Sequence, residues 1–272
     1  MDLTLLNQIL DSFDQALAAW SAALHPVALS LFWGLATIEW SWTWLRLTIS
    51  QRAGLEALFE VFLRKAAFLG FLLYLIQKSD ILLPLILSSF QQAGGAASGI
   101  HALHPSGFLS TGVTVALHIL GTLDNSGFLI DPLGVFIAVF SSFLVLLAFF
   151  AMAITVLLTL VESYVVLAAA YVLLGFGASR WTYALAESAL SSVLRLGVKL
   201  LLTYLVAGVI ASLTTRWANQ LLAESFIGPL DLYVFLGGVA CCASLLWAVP
   251  RLSAQYVPAT LHLGLKPVVF DN

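Results

Sequence analysis

Apolar residues run through this chain in long blocks, and the polar positions that divide the blocks are few enough to name. A helix that crosses the roughly 30 Å hydrocarbon core of a bilayer needs about 20 such residues. Leu24 to Leu47 meets that length with only Glu39 and Arg46 charged, and Trp40, Trp42 and Trp44 supply an interfacial aromatic belt. Leu58 to Gln77 follows, with Arg64 and Lys65 near its start. Leu133 to Val161 and Val165 to Ala178 read as two further stretches divided by a single charge, Glu162, and Val198 to Leu213 and Leu232 to Val249 complete the set.

Two regions depart from this pattern. Ile81 to Leu123 holds no Asp, Glu, Lys or Arg, yet Pro84, Gly94, Gly95, Gly99, Pro105, Gly107 and Gly112 interrupt it. It reads as a broken or re-entrant region, because lipid tolerates irregular backbone only where protein or water covers it. At the N-terminus, Leu6, Ile9, Leu10, Phe13, Leu17 and Trp20 recur at helical spacing, while Asp2, Asp11 and Asp14 come with no Lys or Arg. Such a start lacks the positive region of a signal peptide. Residues 1–22 are therefore expected to stay on the chain as an acidic amphipathic helix on the non-cytoplasmic side.

Composition agrees: 61% of residues are hydrophobic, 9% are charged and the mean hydropathy is +1.02, against roughly a quarter charged in a soluble domain. The expected fold is an all-α, polytopic helical membrane protein of about five to seven transmembrane helices. Its parts would be the periplasmic amphipathic helix 1–22, one membrane domain over 23–250 that includes the broken, partly periplasmic region 79–131, and a short C-terminal tail, 251–272. The formal net charge of −3 gives no basic excess for a nucleic-acid surface.

Charge placement then predicts topology. Arg46, Arg52, Arg64 and Lys65 cluster between the first two blocks, which puts that connection in the cytoplasm and the N-terminus outside. If Leu133 to Val161 and Val165 to Ala178 were the next two full crossings, Arg180, Arg195, Lys199, Arg251 and Lys266 would all fall outside. One more crossing between Lys78 and Arg180, at Pro105 to Leu123, or one fewer, with Val165 to Ala178 only dipping in, brings those five inside. An odd number of crossings and a cytoplasmic C-terminus follow.

The candidate chemistry is sparse. Glu39 and Glu162 are carboxylates in apolar surroundings, costly enough to suggest function; they either line an aqueous path or a subunit contact, or lie near an interface paired with Arg or hydrogen-bonded between helices. In GFGASRWT, residues 175 to 182, Gly175 and Gly177 allow a helix to end or a neighbour to approach, Ser179 can cap, and Arg180 with Trp181 can anchor at the headgroups. Arg195 and Lys199 read as anchors at a span entrance. Gly95 with Gly99, and Gly208 with Ser212, are small-xxx-small pairs of packed membrane helices, and the GGVACCAS stretch around Cys241 and Cys242 suits the same packing. His101, His104 and His118 have no Cys or carboxylate beside them, so no metal is expected. The GxG at Gly175 follows no strand and lacks a third glycine, so no dinucleotide cofactor is expected.

VLLGFGASRWT (172 to 182) and the run ALAESALSSVLRLGVKLLLTYLVAGVI (184 to 210) resemble the central signature of the TrbL family, inner-membrane components of conjugative type IV secretion systems. FLRKAAFLGFLLYLIQKSDILLPLILSSFQQAGGAASG (62 to 99) is similar to the family's early span and glycine-rich segment, and VPRLSAQYVPATLHLG (249 to 264) to the end of its membrane domain. The likeness runs from about residue 24 onward, with GFGASRWT its most specific piece. Many relatives continue into a long hydrophilic C-terminal region, whereas here roughly 20 residues follow Val249. The resemblance implies a multi-pass protein of the bacterial inner membrane with a periplasmic N-terminus, and a channel or scaffold role in pilus biogenesis and in transfer of a DNA–protein substrate. It implies a homo-oligomeric ring in membrane lipid. Its partners would be the stalk or pilus-tip subunit, the pilin, the inner-membrane complex and its ATPases, with DNA contact at most transient.

Two other classes compete with that reading. A small-molecule transporter would show inverted repeats or interrupted helices with charges at mid-membrane; no internal repeat is evident, although the broken Ile81 to Leu123 region suits it. A membrane enzyme needs a nucleophile, a metal cluster or an acid–base pair, and the sequence offers none, so the expectation is no catalytic residue and no cofactor.

Overall fold

The structure, a computed structural model, describes residues 5–50, 55–99, 103–124, 132–223 and 229–254. Asp2, Arg52, His101, Ser126, Lys266 and most of the tail 251–272 lie outside the described residues. Seven helices occupy the described residues: α1 (Leu5–Ser50), α2 (Leu55–Gln77), α3 (Ser79–Ser98), α4 (Pro105–Asp124), α5 (Pro132–Leu174), α6 (Tyr183–Ala223) and α7 (Pro229–Ala254), with a 3-10 turn at Gly175–Ala178. A chain this apolar meets its backbone hydrogen-bonding needs within each helix, as a bilayer demands. No strand occurs among the described residues.

Four stretches are long and apolar enough to cross a membrane: Leu5–Arg46, Leu133–Ala178, Tyr183–Ala223 and Leu230–Arg251. Phe62–Gln77 and Ser79–Ser98 pass the same test together but bend by 72°, which makes five if the bent pair is one span. The chain breaks at Lys78, at the near edge of the glycine- and proline-rich region. Beyond the break that region holds two separate helices, with Gly99 at a φ of 74° closing α3 and Pro105 opening α4, where its missing N–H costs nothing.

The division at Glu162 is not present. α5 runs unbroken for 43 residues, about 64 Å at 1.5 Å per residue, because one carboxylate removes no backbone hydrogen bond. Two stretches thus become one continuous helix. α1 likewise runs through residue 22 without a break, 46 residues with Pro26 inside, so the acidic N-terminal stretch and the first apolar block are one helix.

The fold comprises two compact units. One draws on the described parts of 5–12, 90–162 and 198–254. Its core is formed by Val115, Ile119, Val145, Phe149, Met152, Val156, Leu200, Val239 and Leu246, all almost wholly buried. Small residues let its helices touch. A Cβ on Gly94 would lie 2.8 Å from the Cβ of Tyr204 and 3.0 Å from the carbonyl oxygen of Leu201, one on Gly112 would lie 2.5 Å from the Cβ of Phe149, and one on Gly208 would lie 2.4 Å from the Cβ of Ser98. The pair facing α6 is therefore Gly94 with Ser98. Gly95 is buried, but a Cβ on Gly99 would meet nothing within 4 Å, so Gly99 acts through its backbone angle and not through packing. Gly208 makes the close approach on α6, while Ser212 bonds its own helix at the Val209 carbonyl.

Gly208→Ala is expected to destabilise this unit, because about 1–3 kcal/mol of overpacking exceeds the roughly 1 kcal/mol gained in helix propensity. Ser98→Gly in the same chain removes the colliding Cβ and restores part of the loss. Thermal unfolding of the two variants in detergent measures both effects; an unchanged midpoint for the single variant refutes the close approach.

The second unit draws on 13–89 and 163–197. Ala28, Phe32 and Ala36 of α1, Leu69, Leu72 and Ile76 of α2, and Leu167, Ala170, Tyr171 and Leu174 of α5 are buried in it. Outside both cores, Trp33, Phe62, Phe136, Phe143 and Val234 are among many large apolar side chains left exposed, as expected of a surface solvated by acyl chains.

Candidate functional site

A connected polar group of ion pairs and hydrogen bonds lies in the second unit. Glu39, on α1, follows the buried positions Phe32 and Ala36 on the same helical stripe, and its side chain is 7% exposed. A carboxylate so placed needs a cation, since an unpaired buried charge costs several kcal/mol (roughly 3–5 when a partner is removed). Lys65, on α2, supplies it: Nζ stands 3.0 Å from Glu39 Oε1, donates to the Glu39 carbonyl at 3.1 Å and donates to the Thr43 hydroxyl. Thr43, one turn after Glu39, donates its own hydroxyl hydrogen bond to the Glu39 carbonyl at 2.8 Å.

The other carboxylate oxygen faces the GFGASRWT stretch. Ser179 Oγ donates to Glu39 Oε2 at 3.5 Å, and Arg180 Nε stands 4.0 Å from it. Backbone geometry brings them there. α5 ends at Leu174, the 3-10 turn carries the chain past α1 and α2, and Ser179 is extended, with φ −115° and ψ 139°. Its carbonyl then accepts from the N–H groups of Thr182 and Tyr183 to start α6, its hydroxyl accepts from Trp181 N–H at 3.4 Å, and Thr182 Oγ1 donates back to the Phe176 carbonyl at 2.6 Å.

The two glycines make this reversal sterically possible. A Cβ on Gly175 would lie 2.6 Å from the carbonyl oxygen of Ala28, so α1 backbone touches the turn directly. One on Gly177 would lie 3.2 Å from the Ala186 Cβ and 3.3 Å from a Leu72 methyl.

Aromatic rings and cations surround the ion pairs. The Arg180 guanidinium lies 5.2 Å from the Trp181 ring centroid and 5.8 Å from that of Trp42, Arg46 lies 5.6 Å from Trp42, and Trp42 and Trp181 meet edge to face at 5.8 Å. Trp181 is 59% exposed. One carboxylate with Lys65, Arg180 and Arg46 leaves this end of the unit positive, bordered by rings that suit the headgroup zone. Adjacency in the sequence puts Arg180 beside Trp181; the fold adds the contacts of Lys65, Ser179 and Arg180 with Glu39. Spacing held one clue to them, the Glu39–Thr43 pair one turn apart beside a lone carboxylate that required a cation.

Glu162 belongs to the first unit and is separate. It pairs with Lys199 of α6 and its side chain is 46% exposed, against 17% for Lys199. Of the alternatives open for the two carboxylates, both take cationic partners from other elements: Glu39 takes Lys65 and Arg180, and Glu162 takes Lys199. Cys241 is exposed and Cys242 buried, each a free thiol. Among the described residues no group of three His, Cys, Asp or Glu could hold a metal; His104 and His118 join none, and His101 lies outside those residues.

Fold and site together define a multi-pass helical membrane protein whose ordered polar chemistry is ion pairing between helices. A sequence profile described as TrbL/VirB6 plasmid conjugal transfer protein matches residues 36–249. The chain is 26% identical over 259 residues to the "Probable conjugal transfer protein TrbL" of Sinorhizobium fredii (strain NBRC 101917 / NGR234), covering 94% of this chain and 62% of that protein. It is 25% identical over 238 residues to the "Conjugal transfer protein TrbL" of Rhizobium radiobacter, covering 85% of this chain and 59% of that one. The chain thus spans about three-fifths of the length of these relatives. It belongs to the TrbL/VirB6 family of plasmid conjugal transfer proteins and is a multi-pass protein of the bacterial inner membrane.

Proposed function

We propose that this protein is an inner-membrane scaffold or channel component of a conjugative type IV secretion system, supporting pilus assembly and passage of a DNA–protein substrate. The observation that carries this reading is the family match over 36–249, which takes in both halves of the Glu39–Lys65–Arg180 knot. Ion pairs and caps that hold helix ends in register suit a scaffold. In this reading several copies form a ring in the lipid around the base of the stalk, in contact with the stalk or tip subunit, the pilin, the inner-membrane complex and its ATPases. Deleting the coding sequence and restoring it in trans tests this: mating frequency and surface pili should both vanish and both return. Transfer at the parental frequency without the protein would overturn it.

The positive end of the second unit supports an orientation in which the α1–α2 connection and the α5–α6 turn face the cytoplasm and the start of α1 faces the periplasm. Ser12 and Thr48 are both exposed on α1 and lie 36 positions apart in it, more than the roughly 20 that cross the hydrocarbon. In a chain lacking Cys241 and Cys242, an impermeant maleimide should label Ser12→Cys in intact spheroplasts and Thr48→Cys only after permeabilisation; the opposite pattern refutes the orientation. Ser179, 1% exposed, is too buried to serve as a reporter.

A further inference from the structure

The first unit holds a second charged group that the scaffold reading does not use. Thr155, Leu158, Thr159 and Glu162 of α5, Lys199 of α6 and Leu246, Trp247, Pro250 and Arg251 of α7 line a cavity of about 60 Å³. A buried water needs roughly 10–15 Å³ by the same measure, so the space is that of a phosphate-sized group and not of a whole lipid. Its charge is unbalanced. Glu162 neutralises Lys199, while no carboxylate pairs with Arg251 among the described residues. Arg251 instead lies over the Trp247 ring, 4.3 Å from its centroid, which orients its guanidinium without using its N–H groups. Lys199 has N–H donors to spare beyond the one given to Glu162.

Position adds to charge. The apolar span of α7 ends at Arg251, and Trp247, 53% exposed, occupies the last turn before it. Aromatic rings and basic residues at a helix exit mark the headgroup level. A planar guanidinium held on a ring, a lysine across the cavity and apolar walls from Leu158 and Leu246 together form a cradle for a phosphate carried on an acyl-chain lipid.

We propose that this cavity binds the phosphate of an anionic phospholipid headgroup through Arg251 and Lys199, with Glu162 limiting its affinity. The phosphate oxygens accept from both cations and the acyl chains lie along α7. Because Glu162 competes for Lys199, the two simplest substitutions act in opposite directions.

The test is a native mass spectrometry titration of the purified full-length chain with phosphatidylglycerol, and with phosphatidylcholine as the zwitterionic control. Arg251→Gln breaks no ion pair among the described residues and should weaken phosphatidylglycerol retention about fivefold, the equivalent of the roughly 1 kcal/mol that one basic residue contributes near a membrane surface. Glu162→Gln should hold phosphatidylglycerol at least as tightly as the parent, and phosphatidylcholine should not distinguish the three proteins. A competition arm with inorganic phosphate separates two sources of the same group: displacement of the lipid means that the cradle also takes phosphate from solution, and no displacement means that it requires the lipid. Equal phosphatidylglycerol retention by parent and Arg251→Gln, or a loss in Glu162→Gln as large as that in Arg251→Gln, would overturn the proposal.

Discussion

Glu39→Ala is expected to cost the protein most of its stability and with it DNA transfer. The substitution leaves Lys65 and Arg180, whose side chains are only 15% and 17% exposed, without the carboxylate that compensates both. Removing one partner of a buried pair costs about 3–5 kcal/mol, chiefly through the charge left behind. Two features sharpen the test. Glu60→Ala, which breaks the exposed Arg64–Glu60 pair with side chains 59% and 69% exposed, should do almost nothing, since surface pairs contribute roughly 0–1 kcal/mol. Lys65→Met added to Glu39→Ala should recover much of the loss, because it removes one of the stranded cations. Arg180→Glu should be harsher than His118→Ala, as it sets a second carboxylate against Glu39. Thermal unfolding in detergent and mating frequency would be measured side by side. If Glu39→Ala proves no worse than Glu60→Ala, the knot is not structural.

Gly175→Val is expected to follow closely in severity. Its Cβ would meet the Ala28 carbonyl oxygen at 2.6 Å and the Ala28 Cα at 3.1 Å, both backbone atoms of a helix that cannot yield without moving as a whole. Overpacking against movable side chains costs about 1–3 kcal/mol, and rigid backbone sets the cost at the top of that range or above it. Displacing the turn would also pull Ser179 and Arg180 away from Glu39, so the variant should share the transfer defect of Glu39→Ala. Gly177→Ala, two residues on, meets the Ala186 Cβ at 3.2 Å and the movable Leu72 methyls at 3.3 and 3.4 Å, wider contacts than those at Gly175, and should lower the unfolding temperature far less than Gly175→Val. Equal midpoints for Gly175→Val and Gly177→Ala would rule out the direct helix contact.

The helices were legible in the pattern of residues because a bilayer makes length and apolarity nearly sufficient. Blocks of about 20 residues without charge have few other stable forms in lipid. The break before the glycine-rich region showed in its Pro and Gly, and the turn at GFGASRWT showed in glycines followed by Ser, Arg and Trp. Where the reading failed, a charge was taken as a boundary. Glu162 was expected to divide two stretches, but a side chain can find a partner in Lys199 without disturbing the helix that carries it. The contact of α3 with α6 falls at Gly94 and Ser98, which the sequence did not single out. With Gly at both 94 and 95 and Ser at 98, composition offers more than one small-residue stripe, and only the facing helix selects among them.

What residue order decided alone was therefore the kind of molecule: apolar length requires membrane helices, the rarity of charge excludes a soluble core, and family membership follows from a motif readable without coordinates. What the tertiary structure decided was partnership. Glu39 lies 26 positions from Lys65 and 140 from Ser179, and no periodicity within one helix reaches so far. The pairing follows from burial, since a carboxylate in an apolar interior is tolerated only where the packing of three helices and a glycine turn brings cations to it.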